Sequence, residues 1–259
     1  MNTIVKQMTK VLHSMTHRHD LYRVFSDSME MLALAVANVC DLDQFDAREA
    51  RYLNIAKAYN RDELMQVSQL LALLTEGMEA ESYDFLGDLF MSLELGSDAR
   101  GQFFTPYSLC KITADLTIGD EQVQQALAKR GYVSVHEPAV GAGGLVLAME
   151  ESLRQRGYRG VMHATCMDVD IKAVHMAFLQ LSMAGIPAVV VHGNTLTLET
   201  WSAWYTPVHI WQGWARKLRC PSAAAVETEF PAPLMETAAL ADTIGQMDLF
   251  VSPAVKVAS

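Results

Sequence analysis

The chain of 259 residues has only four cysteines, no proline before position 106, no long apolar run and fewer cations than anions. Each shortage excludes something. Cys40, Cys110, Cys166 and Cys220 are scattered and form no CxxC pair, so neither a zinc site nor a disulfide framework is expected, in keeping with a reducing cytoplasm. The most apolar run, MLALAVANV, is far too short to span a bilayer, and the opening MNTIVKQMTKVLHSM interleaves polar with apolar residues instead of building a signal-peptide core. A soluble, cytoplasmic protein with no membrane partner is expected. With 20 Lys and Arg against 30 Asp and Glu, the formal charge of −10 excludes a broad basic surface for gripping DNA. Any DNA contact must be local.

With no proline and few glycines, residues 1–98 read as helical throughout, their apolar positions recurring at three- and four-residue intervals. In SYDFLGDLFMSLELG, Phe85, Leu86, Leu89, Phe90 and Leu93 share one face, Ser82 offers an N-cap and Gly96 a left-handed stop. Asp46 with Glu49 and Asn60 with Glu63 have capping-box spacing at two further helix starts. Met29, Met31, Met65 and Met91 read as core filling, and His17, Arg18 and His19 as a solvated helix face.

The pattern changes after DARGQFFTPYS. A helix starting near Thr105 or Pro106, where proline forfeits no helical hydrogen bond, runs through SLCKITADLTI. VSVHEPAVGAGGLVLAM, residues 133–149, then reads as strand, glycine turn and helix. VMHATCMDVD follows as a strand, IKAVHMAFLQLSMAG as a helix and AVVVHGNTL as a strand. Such alternation implies βαβ units, a parallel sheet and right-handed crossovers. From about Pro221 the chain turns to alanine, proline and small polar residues, a linker or loosely packed tail. The expected units are a helical region over 1–98, an α/β domain over 99–220 and a tail over 221–259.

A glycine turn between strand and helix lets the backbone approach a ligand, and the helix amino terminus favours negative charge. Gly141, Gly143 and Gly144 supply that turn, without the full GxGxxG of a dinucleotide loop. Glu137 at the strand end can face a cationic group such as the aminosulfonium of S-adenosylmethionine. Asp168, 25 residues after Gly143, ends the second strand about where a carboxylate takes ribose hydroxyls. Asn194 ends the third, where an amide can read an adenine edge. A solvated acid is the alternative for Glu137 and Asp168, and a turn cap for Asn194. No metal site is indicated.

GQFFTP (101–106), HEPAVGAGGL (136–145), MDVDIKAVHMAFLQLSMAGI (167–186) and HGNTL (192–196) resemble, in order and spacing, the adenine-N6 DNA methyltransferases related to the modification subunit of type I restriction systems. The resemblance covers about residues 80–200. It implies an α/β fold whose S-adenosylmethionine-dependent, Rossmann-like methyltransferase sheet, compact or incomplete, follows an N-terminal helical region. It implies S-adenosylmethionine as cofactor, held by Phe103, Thr105 and Pro106 of the FxTP element, by Glu137, Pro138, Gly141 and Gly143 of the DPACGSGG-like loop, by Asp168 and by Asn194 in the place of the GD acid. Methyl transfer to adenine in DNA, alongside restriction-modification subunits, is the implied activity.

One element of that family is absent. Its (N/D)PP(F/Y) tetrapeptide, which holds the amine of a flipped adenine and stacks on the ring, occurs nowhere in the chain, so catalytic residues stay unassigned. WYTPVHIWQGW (204–214) and MDLFVSPAV (247–255) are the nearest substitutes, each with a single proline. A catalytically inactive relative acting in DNA modification, antirestriction or regulation is the alternative. QMDLF, with Gln246, Leu249 and Phe250, resembles the pentapeptide by which bacterial proteins dock on the replication sliding clamp. Arg216, Lys217 and Arg219 beside Trp211 and Trp214 form a local candidate for a phosphate contact, or simply a basic helix end.

Overall fold

The structure, a computed structural model, describes residues 2–95 and 104–219. Five helices come first: α1 (Thr3–Ser14), α2 (Leu21–Asn38), α3 (Phe45–Ala56), α4 (Arg61–Ala80) and α5 (Phe85–Ser92). Side-chain caps account for several of their starts. Asn2 accepts from Ile4 N, Asp20 from Arg23 N, and Asn60 with Glu63 closes the expected capping box on α4. Asp46 and Glu49 form no such box, because a 3-10 turn (Leu42–Gln44) feeds straight into α3. At α5 the cap is Asp84, which accepts from Gly87 N; Ser82 lies two residues too early and pairs with the Tyr107 hydroxyl at 2.9 Å.

The α5 face from Phe85 to Leu93 is buried as its spacing predicts. Two other readings need correction. Met65 is 57% exposed and fills no core, whereas His19 is no solvated side chain: its ring packs on Tyr59 at 4.6 Å and its Nε2 lies 3.7 Å from Glu63. Gly96 lies outside the described residues.

After Pro106 come α6 (Tyr107–Thr117) and α7 (Asp120–Arg130). The latter buries only Val123 and so has no apolar stripe to announce it. Then β1 (Val133–Glu137), α8 (Gly144–Gln155), β2 (Met162–Asp168), α9 (Ile171–Met183) and β3 (Ala188–Asn194) alternate, with β1–β2 and β2–β3 parallel. An unforeseen β4 (Glu199–Tyr205) turns back antiparallel to β3, giving the order β1-β2-β3-β4. Two short helices, α10 (Pro207–Trp211) and α11 (Trp214–Arg219), follow.

Helix α9 is the centre of the molecule. Ala173 to Met183 are buried without a break, the mark of a helix enclosed on all sides. One side packs on β2 and β3, where Ala164, Cys166, Ala188 and Val190 are fully buried; the others receive α2, α4 and α5. The first five helices and the sheet therefore share one core. The opposite sheet face is covered toward its amino end by α10 and α11, where His163 Nε2 meets His209 Nδ1 at 2.9 Å and Trp214 packs on His163 and Tyr132. Among the described residues no helix is long and apolar enough to cross a membrane.

Candidate functional site

The three parallel strands end on the same side of the sheet, and the turn after β1 is shaped there by its neighbours. Gly141, at φ +55°, donates its N–H to Asp168 Oδ2 at 2.9 Å, while Asp168 Oδ1 accepts from Asp170 N at 2.9 Å. A Cβ on Gly141 would stand 2.9 Å from the Phe104 ring, so both the left-handed backbone and the space call for glycine. Gly143 donates to the Val140 carbonyl at 2.9 Å and leads into α8, whose start has no side-chain cap. Among the described residues no side chain caps the first-turn amides of α8, beside which the Asp84 carboxylate stands close to Gly144.

Two adjoining clefts open beside this turn. The smaller, about 190 Å³, is bordered by Glu137, Val140, Gly141 and Gly144; the larger, about 380 Å³, by Tyr83, Asp88, Met91 and Pro106. Asp84, Phe104 and Thr105 line both. Together they reach the size of small-molecule sites, roughly 300–1,000 Å³. Among the described residues no group of three or more His, Cys, Asp or Glu could hold a metal ion.

The expected residues fall into place unevenly. Glu137 borders the smaller cleft, its Oε1 accepting from Ala139 N at 3.1 Å. Thr105 and Pro106 are exposed on the rim. Pro138 lies outside both linings, but its carbonyl accepts the Thr195 hydroxyl at 2.6 Å, tying the glycine turn to the loop after β3. Asp168 and Asn194 also lie outside the two linings, at neighbouring strand ends. Asp168 anchors the glycine turn with both oxygens, and Asn194 Oδ1 caps the β3–β4 turn, accepting from Leu196 N at 2.9 Å and Thr197 N at 3.4 Å. Beside them Val169 and Leu196, 61% and 94% exposed, put two apolar side chains at the same sheet edge. Phe103 lies outside the described residues; its neighbour Phe104 reaches the turn and packs on Phe90 at 5.1 Å.

Three site residues escaped the sequence reading: Phe104, Asp84 and Gln180. Asp84 is 5% exposed, and burial pushes its carboxyl above the usual range. Gln180 is fully buried in the middle of α9. The one available signal was a polar residue inside an otherwise apolar run, MAFLQL.

Of the two substitutes for the missing tetrapeptide, WYTPVHIWQGW borders neither cleft. Thr206, inside WYTP, accepts from Ala188 N and donates to the Ile186 carbonyl, both at 2.8 Å, at the amino end of β3. Residues 247–255, and with them Leu249 and Phe250 as well as Gln246 just before, lie outside the described residues. Arg216, Lys217 and Arg219 stand on α11 at that same amino end; Trp214 is buried, and Trp211 is 52% exposed.

Parallel strands in chain order, with acids ending the first and second and a glycine turn bearing on a cleft, make this an α/β fold of the kind that binds ligands at the carboxyl ends of its strands. A family model of the N-6 DNA methylases matches residues 81–211, and the chain belongs to that family. The match takes in α5, the glycine turn and all four strands. No curated protein matches the sequence. Among solved structures, a provisionally assigned class I S-adenosylmethionine-dependent methyltransferase from Listeria monocytogenes is similar at 16% identity and a TM-score of 0.41, over 76% of this chain and 55% of that one. The chain thus spans little more than half of that structure.

Proposed function

We propose that the chain binds S-adenosylmethionine beside Gly141 and serves methyl transfer to adenine N6 in DNA. When bound, the cofactor supplies a methyl group on a positively charged sulfur. The residues present fit it. Glu137 offers negative charge at the smaller cleft, the uncapped start of α8 suits a carboxylate, and the glycine turn leaves space that a side chain would fill. Asp168 and Asn194, flanked by the exposed Val169 and Leu196, suit a ribose and a purine ring. Thr105 and Pro106 complete the rim on this reading, and Phe103, outside the described residues, is a cofactor contact by the family resemblance alone. The observation that supports it is the Gly141–Asp168 hydrogen bond, which ties the glycine turn after β1 to the end of β2.

The adenine-holding groups are noncanonical or come from a partner, with DNA touched locally and restriction-modification subunits as the partner class. Docking on a sliding clamp through Gln246, Leu249 and Phe250 belongs to the same proposal. A second reading is favoured by the position of WYTP at the far end of β3: a relative that binds cofactor and regulates without transferring methyl groups itself.

Calorimetric titration with S-adenosylmethionine, on the wild type and on Asp168→Ala, tests the cofactor site. Loss of charge-assisted hydrogen bonds of about 1.5–3 kcal/mol predicts affinity weaker by about tenfold or more. A wild type that binds nothing refutes the proposal. Binding without label transfer to mixed-sequence duplex DNA selects the second reading.

A further inference from the structure

Every hydrogen-bonding group of the Gln180 amide is used, and none of it within its own helix. Nε2 donates to Asp84 Oδ1 at 2.7 Å and to the Ala142 carbonyl at 2.8 Å, while Oε1 accepts from Leu86 N at 3.1 Å. Asp84 Oδ1 also takes Gly87 N at 2.8 Å, and its Oδ2 is aimed at Gly144, where an added Cβ would meet it at 2.8 Å. One buried amide and one buried carboxylate therefore join the start of α5, the glycine turn and the middle of α9.

Burying such groups is costly unless they are paired, and here the Gln180 amide is paired with Asp84 Oδ1, Leu86 N and the Ala142 carbonyl, all on segments far from it in sequence. The effect on the turn is direct. The Ala142 carbonyl and the Gly143 N–H belong to one planar peptide unit, so holding the first orients the second. Gly143 N–H then closes on the Val140 carbonyl at 2.9 Å.

We propose that Gln180 and Asp84 form a clasp through which helix α5 holds the glycine turn in its ligand-ready shape, both acting as positioning residues. The clasp rests on the reading of the cleft as an S-adenosylmethionine site. Ligand binding and the order of α5 are then coupled. The titratable groups facing the clasp are Tyr83, just before α5, Asp88 on α5, and Tyr107 and Cys110 on α6. Burial pushes the Tyr83 phenol up to about 12, the Cys110 thiol up to about 11 and the Tyr107 phenol further up, so these three stay neutral between pH 5 and 8.

The first test needs no substitution. Amide hydrogen exchange is followed on the full chain with and without S-adenosylhomocysteine as probe. Protection rises at Gly143 and, in step, at Leu86 and Gly87; protection confined to the turn overturns the clasp. The second test is Gln180→Glu, which sets a carboxylate against Asp84 and the Ala142 carbonyl. A proton shared between the two carboxyls restores one contact and is given up as pH rises, so both contacts are held less at pH 8 than at pH 5. Relative to wild type at the same pH, probe affinity is weaker by about tenfold or more at pH 8, and the gap narrows at pH 5. Wild-type affinity of Gln180→Glu at pH 8, or a gap that does not narrow at pH 5, overturns the clasp. Should Gln180→Glu fail to fold, the exchange experiment on the wild type decides. Should the wild type bind no probe, it is the cofactor reading that fails. The clasp is then judged by exchange at Gly143 in the free proteins, which must be faster in Gln180→Glu.

Discussion

Replacing Gly141 by alanine adds one methyl group where the glycine turn, the Phe104 ring and the Asp168 anchor meet. At φ +55° the backbone is left-handed, which costs a residue with a side chain about 1–2 kcal/mol. The new Cβ would also stand 2.9 Å from Phe104 Cδ1 and 3.1 Å from Cε1. That ring is packed on Phe90, so moving it adds an overpacking cost of about 1–3 kcal/mol. Gly131 supplies the control. It is left-handed too, at φ +77°, but nothing lies within 4 Å of its Cβ position, and it ends α7 near the amino end of β1, away from the cleft. Gly131→Ala therefore bears the conformational cost alone. At about 2–4 °C per kcal/mol for a chain of this size, Gly141→Ala melts lower than Gly131→Ala by roughly 2–12 °C. Thermal unfolding followed by circular dichroism gives the first comparison, and calorimetric titration with S-adenosylhomocysteine the second. Gly141→Ala loses about tenfold or more in affinity, the effect of misplacing one strong hydrogen bond, and Gly131→Ala none. Equal melting temperatures would refute the packing of Phe104 on the turn. Equal affinities would refute the placement of the ligand.

Two further outcomes follow from other parts of the molecule. Burial lowers His163, His175 and His209 from 6.5 to about 4, so below pH 6.5 the unfolded chain binds protons that the native one refuses. Stability then falls with pH between 6.5 and 4, by at most about 1.4 kcal/mol per pH unit for each group. Glu150, raised to about 7, and Asp84, also raised, act in the opposite sense and leave a smaller net loss. Denaturant titrations at pH 7 and pH 5 check the sign, and stability at pH 5 equal to or above that at pH 7 would contradict it. Exchanging Gln246, Leu249 and Phe250 for alanine abolishes capture on an immobilised sliding clamp and leaves probe affinity unchanged; surviving capture discards the docking reading.

The alternation from β1 to β3 was legible because each element there carries its own pattern: apolar strands, long apolar-faced helices and glycine between them. The positions of Asp168 and of the glycine turn at strand ends were legible for the same reason, but the bond by which Asp168 anchors Gly141 was not. What escaped notice depends on contacts between distant segments or on weak patterns. Four residues of β4, Glu199 to Ser202, are exposed, so no alternation marked the strand. Gln180 and Asp84 are 96 positions apart, and a glutamine among apolar neighbours does not reveal which backbone groups it will meet. Asn194 shows another limit. Its type and place suit both a ligand contact and a turn cap, and only geometry shows its oxygen already facing Leu196 and Thr197.

The direction of β4 decides where its sequel can act. Parallel strands deliver their carboxyl ends to one side of a sheet, whereas an antiparallel strand delivers its end to the other. β4, seven residues long, pairs antiparallel with β3 in six residue pairs, so Tyr205 lies opposite Val189, about 20 Å along the strands from the turn that adjoins the glycine loop, at roughly 3.3 Å per residue. The Tyr205 ring is committed there to His209, 5.2 Å away. An aromatic at that distance cannot stack on a base whose amine must approach a methyl group bound beside Gly141, because in-line transfer needs the reacting atoms within about 3–3.5 Å. Tyr205→Leu therefore leaves probe affinity unchanged, and any methyl transfer to DNA stays within about threefold of wild type, since no transition-state contact is removed. If the substitution instead abolished transfer while binding and folding held, WYTP would be part of the base pocket, and the separation of the two ends of the sheet would be wrong.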